Sequence, residues 1–368
     1  MEAANSRPTV KAATRNRLDG PPPSLRGCHA VEVQESAARG SWPGPAPDPS
    51  RANVAAVTRT VLDAIGDTPL IPLRSFRREG APVWVKCEHL NPGGSVKDRI
   101  AVSIISDARQ RGVLPEGATL IEATAGNTGV GLAMVAAVFG HPLVCVMPKK
   151  MSVDKRATLR SMGARVIVVP NAPPTDPQNF QNVARTMASE HGWFLTDQFC
   201  NPANIAAHEH GTGAEIVRQT DGRIAAFVAG AGTGGTLTGV GRCLAGQGVG
   251  ARIVLADPEG SRLAQWVQTG VLGDDGSYAV EGIGGSAVPA NLHSDIITDA
   301  ETISDEESFA TARRLIADEG LYVGGSAGTS VAAALRVARR LGGDEPVVAI
   351  LPDHMDRYAS QPWLLRVR

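Results

Sequence analysis

From residue 83 to about residue 351, short apolar stretches alternate with longer segments of helical periodicity. The apolar stretches are typical of strands with few polar residues, and such strands belong to parallel sheets that helices cover on both faces. The sequence therefore predicts an α/β protein with two packed domains, mainly parallel sheets and a cleft between the domains. Ligands of such folds bind at the carboxyl ends of strands, where loops lead into helices.

The boundaries of these elements follow from the apolar pattern. The predicted strands are Val83–Cys87, Ala118–Glu122, Leu143–Met147, Arg165–Val169, Ile224–Val228, Arg252–Ala256 and Pro346–Leu351. The predicted helices are Asp98–Arg111, Thr128–Phe139, Val153–Met162, Thr236–Leu244 and Ala327–Leu341.

The first 52 residues differ from the rest of the chain in composition. Pro21–Pro23 and the proline-rich run Ser41–Pro49 can form neither a helix nor a central strand, and apolar residues are sparse there. We therefore predict a disordered Pro/Ala-rich extension over residues 1–52 and a folded core over residues 53–368.

The overall composition argues against several classes of protein. The net charge of −1 offers no basic surface for nucleic acid or an anionic membrane. No apolar run approaches the ~20 residues of a membrane-spanning helix, and Met1–Pro8 lacks the apolar core of a signal peptide. We therefore expect a cytoplasmic protein.

Cysteine and histidine usage gives no sign of a metal site. The five cysteines are scattered and never form a C-x-x-C pair, which argues against a disulfide framework or a zinc cluster. His208 and His210 are two residues apart and would face different sides of a helix. We expect no metal.

The segment Gly93–Arg99 places Lys97 after a glycine turn and before a predicted helix. A lysine held there can reach into a cleft, and its amine suits imine chemistry if burial lowers its pKa. Most lysines at the start of a helix are solvated surface residues, so this segment needs support from elsewhere.

A second segment, Ile121–Gly129, follows a predicted strand and opens a helix. Its backbone amides and the hydroxyls of Thr124 and Thr128 could hold a carboxylate at the helix N-terminus. An ordinary turn that Thr128 caps explains the same residues equally well.

The third segment, Val228–Thr236, has four glycines in six positions, which is the geometry of an anion nest. We expect its amides and the hydroxyls of Thr233 and Thr236 to bind a phosphate. The same glycines match G-x-G-x-x-G, and Asp257 stands where a dinucleotide fold has its ribose-binding acid. An NAD(P)-dependent oxidoreductase that uses Gly230–Gly235 is therefore the alternative.

The fourth segment, Leu321–Thr329, is another glycine turn before an apolar helix, and it would present the hydroxyl of Ser326 to the cleft. Serine is also a common helix cap, and the two uses are compatible.

Together these segments resemble the cysteine synthase and cystathionine β-synthase family of pyridoxal-phosphate enzymes, nearer to the cystathionine β-synthase catalytic core. The resemblance begins at about Leu62 and continues to the end of the chain. The matching motifs are Ile65–Pro69, Gly93–Arg99, Gly126–Gly129, Gln198–Asn204, Gly232–Thr236, Asp257–Ser261, Gly282–Gly284, Gly324–Gly328 and Leu351–Asp353.

The resemblance implies a fold and a set of site residues. The fold is the tryptophan synthase β-like fold type II, with a smaller subdomain over about residues 95–200 and a larger one from the remainder. Lys97 would form the imine with pyridoxal phosphate, Asn127 would bind the cofactor's ring oxygen and Ser326 would face its ring nitrogen. The phosphate would lie on Gly232, Thr233, Gly234, Gly235 and Thr236. The substrate would contact Thr124, Ala125, Gly126, Thr128, Gln198 and Gly282.

The implied reaction is β-replacement on L-serine or an O-activated L-serine, through an aminoacrylate. A thiol or sulfide then adds, and the product is cysteine, cystathionine or a related β-substituted alanine. The resemblance also implies a homodimer.

The sequence departs from the family at several positions. Ala125 stands where the family usually has serine, which removes one hydroxyl contact to the carboxylate. Gly285–Ser286 replaces the usual Tyr-Asp, which puts homocysteine in doubt as the nucleophile, and His354–Asp356 is also atypical. Cys28 and His29 are adjacent, a spacing that does not suit haem.

Overall fold

The structure, a computed structural model, describes residues 60–76, 80–124 and 126–365. The predicted extension over residues 1–52 lies outside the described residues. The strands are β1 (Leu70–Pro72), β2 (Val83–Lys86), β3 (Leu120–Ala123), β4 (Leu143–Pro148), β5 (Arg165–Val169), β6 (Phe194–Leu195), β7 (Ala226–Ala229), β8 (Arg252–Pro258), β9 (Asp299–Ile303) and β10 (Val347–Ile350).

The helices alternate with these strands. They are α1 (Lys97–Gln110), α2 (Asn127–Phe139), α3 (Val153–Ser161), α4 (Phe180–His191), α5 (Ala203–Ala207), α6 (Ala214–Thr220), α7 (Gly235–Gly246), α8 (Leu263–Thr269), α9 (Asp305–Glu319), α10 (Gly325–Leu341) and α11 (Pro362–Leu365). A π-helix over His208–Gly213 joins α5 to α6.

The strands form two sheets, and the predicted α/β fold with mainly parallel sheets is confirmed. One sheet has six strands in the order β1-β2-β10-β7-β8-β9, in which only β1 runs antiparallel to its neighbour. The other has four parallel strands in the order β5-β4-β3-β6. All four lie within residues 120–195, inside the range predicted for the smaller subdomain, and the division into subdomains stays a prediction.

Helices cover both faces of each sheet, which explains the continuous apolar runs in the central strands. In β4, Val144 and Val146 pack with Ala184 and Ala188 of α4. The alternate residues of the same strand pack on the other face, among side chains of α1 and α2. The six-stranded sheet has a separate core on each of its faces.

The predicted strands and helices are present in the structure, with boundaries that differ by at most two residues. Short or half-exposed elements such as β1 and β6 carry too little apolar pattern to be predicted. No helix in the described part of the chain combines the length and apolarity needed to cross a bilayer.

Candidate active site

A single cleft at the carboxyl ends of β3, β7 and β10 contains most of the predicted site residues. Those that line it are Lys97, Thr124, Gly126, Asn127, Thr128, Gln198, Gly232, Thr233, Gly234, Thr236, Gly282 and Ser326. Gly235 is not among the lining residues, because it packs beneath the loop against Asn204. Ala125 lies outside the described residues.

Hydrogen bonds to the C-terminal part of the chain hold the turn before α1 in place. They thereby set the backbone position of Lys97. The amide of Val96 donates to the carbonyl of Pro352 at 2.8 Å, and the amide of His354 donates to the carbonyl of Gly94 at 3.0 Å. Gly94 has φ +74°, a conformation that favours glycine. Lys97 is therefore held at the start of α1, with its side chain lining the cleft.

The surroundings of Lys97 lower the pKa of its amine, chiefly through burial, while the charges of Asp353 and Glu88 act in the opposite direction. A lower pKa increases the neutral fraction of the amine, which is the form that acts as a nucleophile or base. Imine chemistry at Lys97 requires this lowered pKa, as the sequence predicts.

Asn127 is oriented by a buried carboxylate from the opposite side of the cleft. Its Nδ2 donates to Oδ2 of Asp353 at 2.8 Å, and the Tyr358 hydroxyl donates to the same oxygen at 2.7 Å. Burial, together with the charge of Asp353, raises the pKa of Tyr358 well above its usual range. The other oxygen of Asp353, Oδ1, is buried and has no hydrogen-bond partner in the described structure.

The loop between β7 and α7 passes too close to its neighbours for side chains at two of its glycines. A Cβ on Gly232 would lie 2.4 Å from the carbonyl oxygen of Gly282. A Cβ on Gly234 would lie 2.5 Å from Cβ of Leu292, and Gly234 also has φ +85°. The glycines therefore leave bare backbone amides at the start of α7.

The two threonines of this loop are fixed by buried side chains. Nδ2 of Asn204 donates to Oγ1 of Thr233 at 3.0 Å. Oγ1 of Thr236 lies 3.2 Å from Nε2 of His208, whose pKa burial lowers well below its usual value. His208 is therefore a neutral partner for the loop.

These features fit a phosphate-bearing aldehyde cofactor. Among the described residues that line the cleft, only Lys97 and Lys155 are basic. A phosphate at the glycine loop would therefore be held by backbone amides and the hydroxyls of Thr233 and Thr236, as the sequence predicts, with a further contribution from the dipole of α7. The neutral form of the Lys97 amine is the form that can condense with the aldehyde.

The predicted carboxylate segment is already ordered by internal hydrogen bonds. Oγ1 of Thr124 accepts from the amides of Gly126 and Gly129, both at 3.2 Å. Oγ1 of Thr128 donates to Oε1 of Gln198 at 2.6 Å. The segment opens α2, where free backbone amides favour an anion.

Ser326 lies in the first turn of α10. Its side chain is buried and lines the cleft.

Sequence reasoning missed four polar side chains that line the cleft: Lys155, Glu281, Asp353 and Tyr358. Lys155 of α3 forms an ion pair with Glu281 across the mouth of the cleft. Asp353 ends a quoted motif and Glu281 directly precedes another, so those two could have been found, whereas Lys155 lies within the predicted helix Val153–Met162. Tyr358 lies five residues after Asp353, to which its hydroxyl donates, but it belongs to no quoted motif.

Asp257, the acid on which the dinucleotide alternative depends, is used elsewhere. Its Oδ2 accepts from the amide of Ala264 in α8 at 2.8 Å, and the residue does not line the cleft. Burial raises the pKa of Asp257 to about 6. The acid therefore supports α8 and does not face a ligand in the cleft.

The atypical pair Gly285–Ser286 packs against the loop before α8. The amide of Gly285 donates to Oγ of Ser261 at 3.0 Å, and Arg262 donates to the carbonyl of Ser286 at 3.1 Å.

Within residues 60–76, 80–124 and 126–365, no cluster of three or more His, Cys, Asp or Glu residues could hold a metal ion.

Comparison with known proteins identifies the family. Residues 61–353 match the family described as pyridoxal-phosphate dependent enzyme. The chain is 42% identical over 313 residues to cystathionine β-synthase of Apis mellifera, a match that covers 83% of this chain and 62% of that protein. It is 38% identical over 304 residues to cysteine synthase of Staphylococcus aureus, covering 82% and 96%.

Solved structures agree with these sequence matches. The crystal structure of O-ureido-L-serine synthase matches with a TM-score of 0.78 and 37% identity, covering 85% of this chain and 96% of that one. The predicted fold type II is thereby confirmed. The chain spans 56% of the length of the cystathionine β-synthase of Mus musculus. Nothing in these comparisons supports the oxidoreductase alternative.

A family model that matches most of the chain, relatives at about 40% identity and a cleft suited to a phosphate-bearing aldehyde all agree. The chain therefore belongs to the family of pyridoxal-phosphate-dependent enzymes that includes cystathionine β-synthase and cysteine synthase, and its cofactor is pyridoxal phosphate.

Proposed function

We propose that this protein catalyses β-replacement on L-serine or an O-activated L-serine, with acetate or phosphate as the activated leaving group. A sulfur nucleophile, either a thiol or sulfide, takes the place of that group. The exchange forms a C–S bond at the β-carbon and breaks the C–O bond, and the proton of the thiol departs with the leaving group. The product is cysteine, cystathionine or a related β-substituted alanine.

One observation carries this proposal: the amine of Lys97, the glycine loop at α7, and Thr124 with Gly126–Thr128 all line one cleft. The loop would hold the phosphate, and the segment would hold the substrate carboxylate together with Gln198 and Gly282. The substrate's reacting carbons would then lie between the two, within reach of the lysine.

Lys97 would hold the cofactor through Nζ and move the proton of the reaction. Because burial lowers the pKa of this amine, Nζ can accept the α-proton of the amino acid and later return it. The carboxylate of Asp353 acts in the opposite direction on the pKa, so the amine stays able to be protonated.

When bound, pyridoxal phosphate supplies an electron sink for the carbanion at the α-carbon. We propose that Asn127, held by Asp353, orients the cofactor ring at its oxygen, and that Ser326 faces the ring nitrogen. A serine hydroxyl is a weak acid and leaves that nitrogen largely unprotonated. Loss of the β-substituent then competes well with transamination.

We also propose that the enzyme works as a homodimer in the cytoplasm. The resemblance to the family supports the dimer. Cys87, Cys145, Cys200 and Cys243 are free thiols, as is usual in a reducing compartment. Sedimentation of the purified holoenzyme and fractionation of cells would test the two statements.

Rapid-scan spectroscopy of the yellow holoenzyme tests the proposed reaction. L-serine, O-acetyl-L-serine and O-phospho-L-serine are added in turn, and at least one should change the cofactor spectrum. Sulfide, cysteine, homocysteine or thiosulfate should then restore it and release the product. The proposal fails if none of the three amino acids alters the spectrum, or if turnover consumes a nicotinamide cofactor.

A further inference from the structure

One buried carboxylate beside the cleft has no role in the chemistry described so far. Glu122 is 1% exposed and lies near the carboxyl end of β3, directly before the segment that opens α2. Cys145 is opposite it on β4, and the charge of Asp197 acts with burial to raise the pKa of Glu122. A buried carboxylate without a cation is destabilising unless other groups satisfy it by hydrogen bonds.

Those hydrogen bonds come from the segment that carries Gln198. The amide of Gln198 donates to Oε2 of Glu122 at 3.2 Å, and Nε2 of Gln198 donates to Oε1 at 3.4 Å. The Thr196 hydroxyl also donates to Oε2. Glu122 therefore anchors both the backbone and the side chain of Gln198.

Gln198 in turn makes hydrogen bonds to two other parts of the site. Its Nε2 also donates to the carbonyl of Ala123 at 3.2 Å, so its Oε1 faces Thr128 and accepts that hydroxyl. Its backbone carbonyl accepts from Nδ2 of Asn204 at 2.8 Å, and Asn204 also donates to Thr233 of the glycine loop before α7. Gln198 thus connects the segment that opens α2 to the glycine loop.

We propose that Glu122 is a positioning residue for the carboxylate of the amino-acid substrate, acting through Gln198 and Thr128. This inference rests on the proposed function, since it assumes an amino acid in the cleft. Glu122 does not itself line the cleft. Its effect is to set the orientation of the Gln198 amide, and thereby the positions of the hydroxyl and backbone amides that receive the carboxylate.

The test uses two variants of the holoenzyme and two ligands that differ only in the carboxylate. Glu122→Leu removes the acceptors, whereas Glu122→Gln keeps the shape and one acceptor. The Kd for L-serine and for L-serinamide is measured by spectral titration, and the Kd for pyridoxal phosphate is measured on the cofactor-free protein. Glu116→Gln, a change at an exposed position away from the cleft, is the control.

Glu122→Leu should raise the Kd for L-serine on the order of tenfold while changing the Kd for L-serinamide much less, and Glu122→Gln should recover most of the loss. In each variant, the Kd for pyridoxal phosphate should change less, relative to the wild type, than the Kd for L-serine does. Equal weakening for both ligands would overturn the inference, because a merely structural role has that outcome. Where only O-acetyl-L-serine or O-phospho-L-serine changes the wild-type spectrum, that amino acid and its amide take the place of L-serine and L-serinamide. A wild type that responds to none of the three amino acids would contradict the proposed function instead.

Discussion

At the scale of single residues, the balance of charge around Lys97 controls its chemistry. Burial lowers the pKa of the amine, and the nearby carboxylates of Asp353 and Glu88 limit that shift. Asp353 has a second function, because it receives both Asn127 and Tyr358 on one oxygen. The same carboxylate therefore connects the protonation of the lysine with the orientation of the side chain expected at the cofactor ring.

Asp353→Asn should lower the pKa of Lys97 further, because it removes a neighbouring negative charge while keeping an oxygen that can accept from Asn127. The measurement is the rate of acetylation of Lys97 in the cofactor-free protein as a function of pH, followed by mass spectrometry. Tyr358→Phe is the control, since it removes a hydrogen bond and leaves the charge in place. An unchanged midpoint in Asp353→Asn would rule out the electrostatic role.

Glu122 predicts a dependence of stability on pH. Burial raises the pKa of Glu122 to about 7 from its usual 4.5, so the folded state binds the proton more tightly than the unfolded state. The free energy of unfolding should therefore fall as the pH rises from about 4.5 to about 7, by at most about 3 kcal/mol.

Glu122→Gln should remove this component. Urea denaturation at about pH 5 and about pH 8 measures the free energy of unfolding of both proteins. Relative to the wild type, the variant should be more stable at the higher pH than at the lower one. Asp98 and Asp257, whose pKa values burial raises to about 7 and about 6, contribute alike to both proteins. A difference between variant and wild type that is the same at both pH values would contradict the shifted pKa.

At the scale of elements, the site is built where a strand ends and a glycine turn starts a helix. Such junctions could be predicted, because apolar runs followed by glycine and threonine are local patterns. The partners of those junctions could not. Asn204 and His208 reach the glycine loop before α7 only because the π-helix and α5 pack against α7, and Asp353 reaches Asn127 across the fold. Such contacts are between residues far apart in sequence and follow no local pattern.

Gly232→Ala should weaken the binding of pyridoxal phosphate by tenfold or more, which corresponds to about 1.4 kcal/mol. The added methyl would lie 2.4 Å from the carbonyl oxygen of Gly282, so the loop would have to move. Gly246→Ala at the end of α7 is the matched control, because its Cβ would have nothing within 4 Å. Fluorescence titration of the cofactor-free proteins measures both, and similar affinities for the two variants would exclude the close-approach argument.

At the scale of the whole molecule, the mouth of the cleft is bridged by the ion pair between Lys155 and Glu281. Lys155 belongs to α3, which packs on the four-stranded sheet, and Glu281 directly precedes the Gly282 loop. The side chains are 16% and 36% exposed, so the pair should contribute less than about 1 kcal/mol to global stability.

Glu281→Gln should therefore leave the melting temperature nearly unchanged but speed hydrogen exchange in α3, because the helix loses its tie across the cleft. Asp107→Asn is the control, since it breaks the exposed pair with Arg111 at the end of α1. Hydrogen exchange followed by mass spectrometry measures both variants. Unaltered exchange in α3 of Glu281→Gln would mean that the pair does not restrain the mouth.

The central claim is that the amine of Lys97 holds pyridoxal phosphate in the cleft. Reduction of the yellow holoprotein with borohydride, followed by digestion and mass spectrometry, tests it most directly. The account predicts a single pyridoxyl tag on the peptide that contains Lys97. A tag on Lys155 or any other amine, or no tag at all, would contradict it.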